Sequence, residues 1–228
     1  NSLGFNLSRS IGPAIGGAVT GAFGAAAAFL LNAASYFGLA AVLLTWRRRQ
    51  PAPSPLPREP LGAAMMAGLR YVRLSPAILA IFARAAMFGV SGAALWALMP
   101  VLARDTLKGD ANTLGAMMGA FGVGAMAAAL AAARLRAALR PNRLAMAGVA
   151  AFGAGTAGAA ASTSLAPMLG ALFIAGGAWV LTLSTLNIAV QTVAPRWVAG
   201  RVIALYQMCA FAGLAVGSAL WGVAAGMI

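Results

Sequence analysis

The chain has almost no negative charge. Its 228 residues include three carboxylates, Glu59, Asp105 and Asp110, and charged residues of both signs make up only 8%. A soluble domain carries about 25%, so this chain cannot cover a water-facing surface. Histidine is absent, which removes the usual nitrogen ligand for metals. The single cysteine, Cys209, excludes an internal disulfide framework. No phosphate-binding glycine loop with its lysine, no nucleophile–base pair and no metal cluster is present. Phe121-Gly-Val-Gly124 is a packing pattern within a helix rather than a nucleotide loop. The sequence therefore gives no reason to expect an enzyme or a cofactor.

What the chain has is hydrophobic length. Apolar residues are 62%. No charge occurs from Ser10 to Trp46, nor from Leu144 to Pro195. A bilayer core takes about 20 helical residues, so each run reads as two antiparallel spans. Gly21–Gly24 breaks the first run and Ser162–Pro167 the second. Three further spans fit at 76–103, 112–133 and 203–226. The expected fold is all-α and polytopic, with seven membrane helices.

The formal charge of +13 does not indicate nucleic acid, because the arginines alternate with the spans. Arg9, Arg47, Arg48, Arg49, Arg58, Arg70, Arg73, Arg134, Arg136, Arg140, Arg143, Arg196 and Arg201 fall on one side. The opposite loops hold Arg104 and Lys108, offset by Asp105 and Asp110. By the positive-inside rule the arginine-rich side is cytoplasmic. Seven spans then put Asn1 inside and Ile228 outside. The chain begins without Met and lacks a signal-like leader, so further sequence upstream is expected. The excess of arginine over lysine and the abundance of alanine point to a GC-rich bacterial genome.

Prolines from Pro51 to Pro60 make a semi-rigid connector. A short amphipathic helix is expected over 61–74, with Leu61, Met65, Leu69 and Val72 on one face and Arg70 and Arg73 toward headgroups. Glycines four apart recur at Gly12/Gly16, Gly17/Gly21, Gly115/Gly119 and Gly213/Gly217, a spacing that lets membrane helices approach closely. Spans 10–22 and 113–130 are expected to pack on each other through such pairs. Trp46, Trp96, Trp197 and Trp221 lie near span ends and are expected in interfacial belts.

The run Arg9-Ser-Ile-Gly12-Pro13-Ala-Ile-Gly16-Gly17 resembles the fifth-helix antiporter motif of the major facilitator superfamily. Phe29-Leu-Leu-Asn32-Ala-Ala-Ser35-Tyr36, followed by Trp46-Arg-Arg-Arg49, resembles its sixth helix and central loop. Trp96-Ala-Leu-Met-Pro100-Val-Leu-Ala-Arg104-Asp105 resembles the end of a seventh helix. Gly200-Arg201-Val-Ile-Ala-Leu-Tyr206-Gln207 and Gly217-Ser-Ala-Leu-Trp221-Gly222 resemble the approach to an eleventh helix and that helix itself. The branch most similar is that of transmembrane secretion effectors, which includes enterobactin-type exporters.

The resemblance implies a truncated major-facilitator fold covering helices five to eleven of twelve. Residues 1–46 would end the N-terminal half, 47–75 would link the halves, and 76–228 would be a C-terminal half lacking its last helix. It implies secondary-active efflux of a small molecule, such as a drug or siderophore, from a bacterial inner membrane by proton antiport. The partners would be the bilayer, the substrate, the proton and the missing helices, with no nucleic acid. The alternative is a non-transporting membrane remnant or interaction protein. The usual acidic loop motif departs here: Arg134-Leu-Arg136-Ala-Ala-Leu-Arg140-Pro-Asn-Arg143 is basic with no carboxylate, and no span offers a coupling acid.

The candidate residues follow. Arg9, Gly12, Pro13, Gly16 and Gly17 would control packing and a kink beside the cavity. Arg84 lies eight residues past Pro76, about 12 Å along a helix. It either snorkels to the interface or faces a central cavity as a cation for anionic substrates. Asn187, Gln191, Tyr206 and Gln207 either hydrogen-bond between helices or line that cavity.

Overall fold

The computed structural model describes residues 29–46 and 60–226, with the isolated positions 19, 23, 26 and 27. The described residues form helices without strands. Helix α1 spans Phe29–Thr45 and is exposed along its length. Helix α2 spans Leu61–Arg73, α3 Pro76–Val101, α4 Ala111–Ala138, α5 Pro141–Ala161, α6 Leu165–Val193 and α7 Ala199–Gly226. Five of these are long and apolar enough to cross a bilayer. They confirm the three single spans and the division of the second uncharged run. Apart from the isolated positions 19 and 23, the first expected span and its break at 21–24 lie outside the described residues, as does the proline-rich linker up to Glu59.

Local chemistry sets the helix ends. Pro76 and Pro141 occupy the first turns of α3 and α5, where a missing N–H costs nothing. Pro100 lies inside α3, and the helix widens just beyond it into a π turn over Leu102–Thr106. The Leu107 amide there donates to the Leu102 carbonyl at 3.1 Å. Asp110 caps α4, its Oδ1 accepting from the amides of Asn112 at 3.0 Å and Thr113 at 3.1 Å. Ser162 closes α5 by donating its hydroxyl to the Gly158 carbonyl at 2.7 Å.

Hydrophobicity does not draw helices together in lipid, so close backbone contact must. Two crossings supply it. In the α4–α6 crossing, a methyl on Gly176 would collide with the Phe121 carbonyl oxygen, and one on Gly124 with that of Phe173. In the α3–α7 crossing, a Cβ on Gly89 would lie 2.8 Å from the Ala210 carbonyl oxygen, and one on Gly213 2.5 Å from that of Ala86. Each glycine thus faces the carbonyl three residues before its partner's glycine. The two crossings are one pattern used twice, with α3 in the role of α6 and α7 in the role of α4. Because α3 and α6 cross in opposite directions, the repeat is inverted. Helix α5 packs antiparallel on α6, where Gly155 admits Ala171 and Ala175.

Two cores result. One joins Leu95, Met99, Met117, Phe121, Met168 and Leu172. The other joins Val72, Ile78, Phe82, Leu186, Val198 and Val202 near the arginine-rich helix ends. The amphipathic helix expected at 61–74 is α2, and its packed face matches the expected one in part. Gly68 and Val72 are buried and Leu69 is half-buried, but Met65 is 70% exposed. Gly68 is what admits the Arg201 side chain, whose Cβ lies 3.0 Å from where a Cβ would stand.

Candidate functional site

Arg84 stands on the face of α3 away from the α7 crossing. It is exposed, and its Nη1 donates to Asn142 Oδ1 at 3.5 Å, a long contact. Asn142 belongs to the first turn of α5, whose preceding residue Arg140 supplies no side-chain cap. The guanidinium therefore meets a helix end, and it has an amide rather than a carboxylate beside it. Among the described residues the carboxylates are Asp105 and Asp110, both at the opposite helix ends. Asp105 is paired there with Arg104 at 2.8 Å.

Arg84 and Asn142 open onto a groove of about 470 Å³ between α3, α5 and α6, lined also by Phe88, Met146, Val149 and Thr182. Met146 and Val149 are 65% and 49% exposed, so the groove is open on the α5 side. Thr182 is fully buried and its hydroxyl has no hydrogen-bond partner. That hydroxyl faces Gly148, where a Cβ would collide with it. A buried hydroxyl left unpaired is costly in an apolar medium. A second groove, of about 430 Å³ between α4, α5 and α6, is walled by small and apolar residues such as Ala128, Ala147 and Phe173.

The other sequence candidates do not gather around Arg84. On α6, Gln191 Nε2 donates to Asn187 Oδ1 one turn earlier, so the two amides partly satisfy each other. Tyr206 is 4% exposed and packs edge-on against Phe82, with ring centroids 5.9 Å apart, inside the α3–α7 contact. Gln207 is exposed on α7. Arg9, Gly12, Pro13, Gly16 and Gly17 lie outside the described residues, as does the expected partner of 113–130. Gly115 and Gly119 are themselves buried.

Two expectations about tryptophan need correction. Trp96 does not belong to an interfacial belt. It packs edge-on against Phe121 at 5.0 Å and Trp179 at 6.2 Å, in a cluster that includes Phe88 and Phe152. Trp221 lies against α3, and its indole N–H donates to the Val90 carbonyl at 2.9 Å. Trp197 is 64% exposed and edge-on to Tyr71 at 5.7 Å. Trp179 was not anticipated, yet it centres the cluster. The indole nitrogens of Trp96 and Trp179 are buried without partners.

No group of residues suited to a metal occurs among the described residues. The sequence profile of the transmembrane secretion effector family matches residues 1–228. The chain belongs to this family. It is a multi-pass membrane transporter of the major facilitator superfamily. Neither a curated protein nor a solved structure matches it. Sequence reasoning on this transporter missed Asn142, Thr182, Gly89 and Gly176, and read Gly124 only as part of a packing pattern within its own helix. Asn142 had one local signal, its place after a proline that opens a helix. Thr182 had none.

Proposed function

We propose that this transporter exports a small molecule, of the drug or siderophore class, from a bacterial cytoplasm across the inner membrane in exchange for protons. The observation that supports this most is the inverted pair of glycine crossings, α3 on α7 and α6 on α4. Inverted repeats let one packing be exchanged for its counterpart related by a two-fold axis in the membrane plane, which is the basis of alternating access. The arginine distribution supports an orientation with the 134–143 loop in the cytoplasm.

The described spans hold no carboxylate in their interior, and proton coupling ordinarily uses a protonatable group in the membrane. That group then comes from helices outside the described residues, which complete the carrier. The Arg9–Gly17 segment acts as the antiporter-type hinge. Asn187, Gln191 and Gln207 line the polar route, and Tyr206 supports it from the α3–α7 contact.

The experiment is accumulation of a compound panel, cationic dyes and iron chelators included, in cells stripped of their own exporters. Expression of the transporter lowers accumulation of at least one compound, and an uncoupler restores it. Lowered accumulation that an uncoupler leaves intact would overturn the proton-exchange reading.

A further inference from the structure

We propose that the groove between α3, α5 and α6 binds an anionic phospholipid, with Arg84 and the first turn of α5 holding the phosphate head and Phe88, Met146 and Val149 receiving an acyl chain. The site goes beyond transport and does not depend on which substrate is carried.

Three observations on different elements carry it. First, among the described residues the carboxylates stand at the opposite helix ends from Arg84, whose contact with Asn142, at 3.5 Å, leaves donors free. A phosphate takes two parallel hydrogen bonds from a guanidinium fork. Second, Asn142 sits at an uncapped helix start between Arg140 and Arg143, both exposed. Free amides and the positive helix end favour an anion there, and flanking arginines add to the field. Third, α6 backs the groove with Leu186, and Phe88 of α3 continues the apolar wall, so the space below the phosphate suits an acyl chain.

The shape selects a lipid over a small anion. The polar groups occupy one end of the groove, and Met146 and Val149 continue it as an exposed apolar wall along α5. Arg84 is two turns into α3 yet meets the very start of α5, so its charge lies toward the helix ends, where headgroups reside. Basic pockets between membrane helices on the cytoplasmic side are recurrent sites for anionic headgroups.

The test is native mass spectrometry of the purified protein with phosphatidylglycerol, phosphatidylcholine and inorganic phosphate as probes. Wild type and the Lys108→Gln variant, changed at the opposite helix ends, retain one phosphatidylglycerol and no phosphatidylcholine. Arg84→Gln weakens retention about tenfold, as loss of a charged hydrogen bond predicts, and Arg84→Lys restores part of it. If Arg84→Gln does not fold, Met146→Glu carries the test, because a carboxylate at this exposed position in the groove wall repels the phosphate head and should weaken retention. Equal retention by Arg84→Gln or, in that case, Met146→Glu, or equal retention of phosphatidylcholine, overturns the proposal. So does displacement of the lipid by inorganic phosphate alone, which would mark a small-anion site. Cross-linking of a cysteine at Met146 to another helix of the same protein, with no lipid retained, overturns it by showing the groove filled by protein.

Discussion

The indole N–H of Trp221 donates to the backbone carbonyl of Val90 at 2.9 Å, from α7 across to α3. A Cβ on Gly217 would collide with the same carbonyl oxygen. Trp221 and Gly217 are one helical turn apart, so one residue makes room for the approach and the next turn fastens it. Trp221→Phe keeps the ring and removes the donor. It should lower stability in detergent by about 0.5–1.5 kcal/mol, read as a fall in the unfolding midpoint, with little change in secondary structure by circular dichroism.

The α4–α6 crossing is expected to be less forgiving. Gly176→Ala and Gly124→Ala drive a methyl into a carbonyl oxygen, and backbone cannot move aside as a flexible side chain can. Overpacking of this kind costs about 1–3 kcal/mol. Gly153→Ala on α5 meets nothing within 4 Å, and alanine is the better helix former by about 1 kcal/mol. The first two variants should lose the monodisperse peak in fluorescence-detected size exclusion after mild heating, and the third should keep it. Equal behaviour of all three would remove the close crossing from the account.

Asp110 gives a pH-dependent prediction. The Thr113 amide, first among several donors, holds its carboxyl below the ordinary carboxylate value. A carboxylate depressed on folding adds stability above its unfolded pKa of about 3.9 and loses it as pH falls through the folded value. Asp110→Ala should therefore unfold earlier than wild type at pH 7, and the gap should narrow toward pH 3. A gap that widens on acidification would contradict the cap.

Orientation is checked by labelling. In a Cys209→Ser background, a cysteine at Thr163 should react with an impermeant maleimide added to intact cells. One at Ala137 should react only after the membrane is opened. Labelling of position 137 from outside would invert the topology.

The lengths of the uncharged runs made the described spans legible, because a bilayer fixes helix length and prolines mark helix starts. The crossings were less legible. Only Gly213/Gly217 showed the four-residue spacing. Gly89, Gly124 and Gly176 each act in reciprocal contacts with another helix, and no local pattern encodes which helix that is. Trp96 misled for a related reason. Its distance from the span end suits an interface, but its neighbours Phe121 and Trp179 come from other helices. The groove at Arg84 was half legible: the charge stood out in an apolar span, whereas Asn142 and Thr182 join it only through the packing of α5 on α6.

The central claim is proton-coupled export, and proton flux in inverted membrane vesicles reports it most directly. Vesicles energised by respiration acidify inside, read by quenching of a pH-sensitive acridine. Adding a compound whose accumulation the transporter lowers should relieve the quench. Vesicles carrying Gly176→Val at matched expression should not respond. A wild-type response no larger than that of empty vesicles, with a compound the cells do export, would contradict exchange with protons.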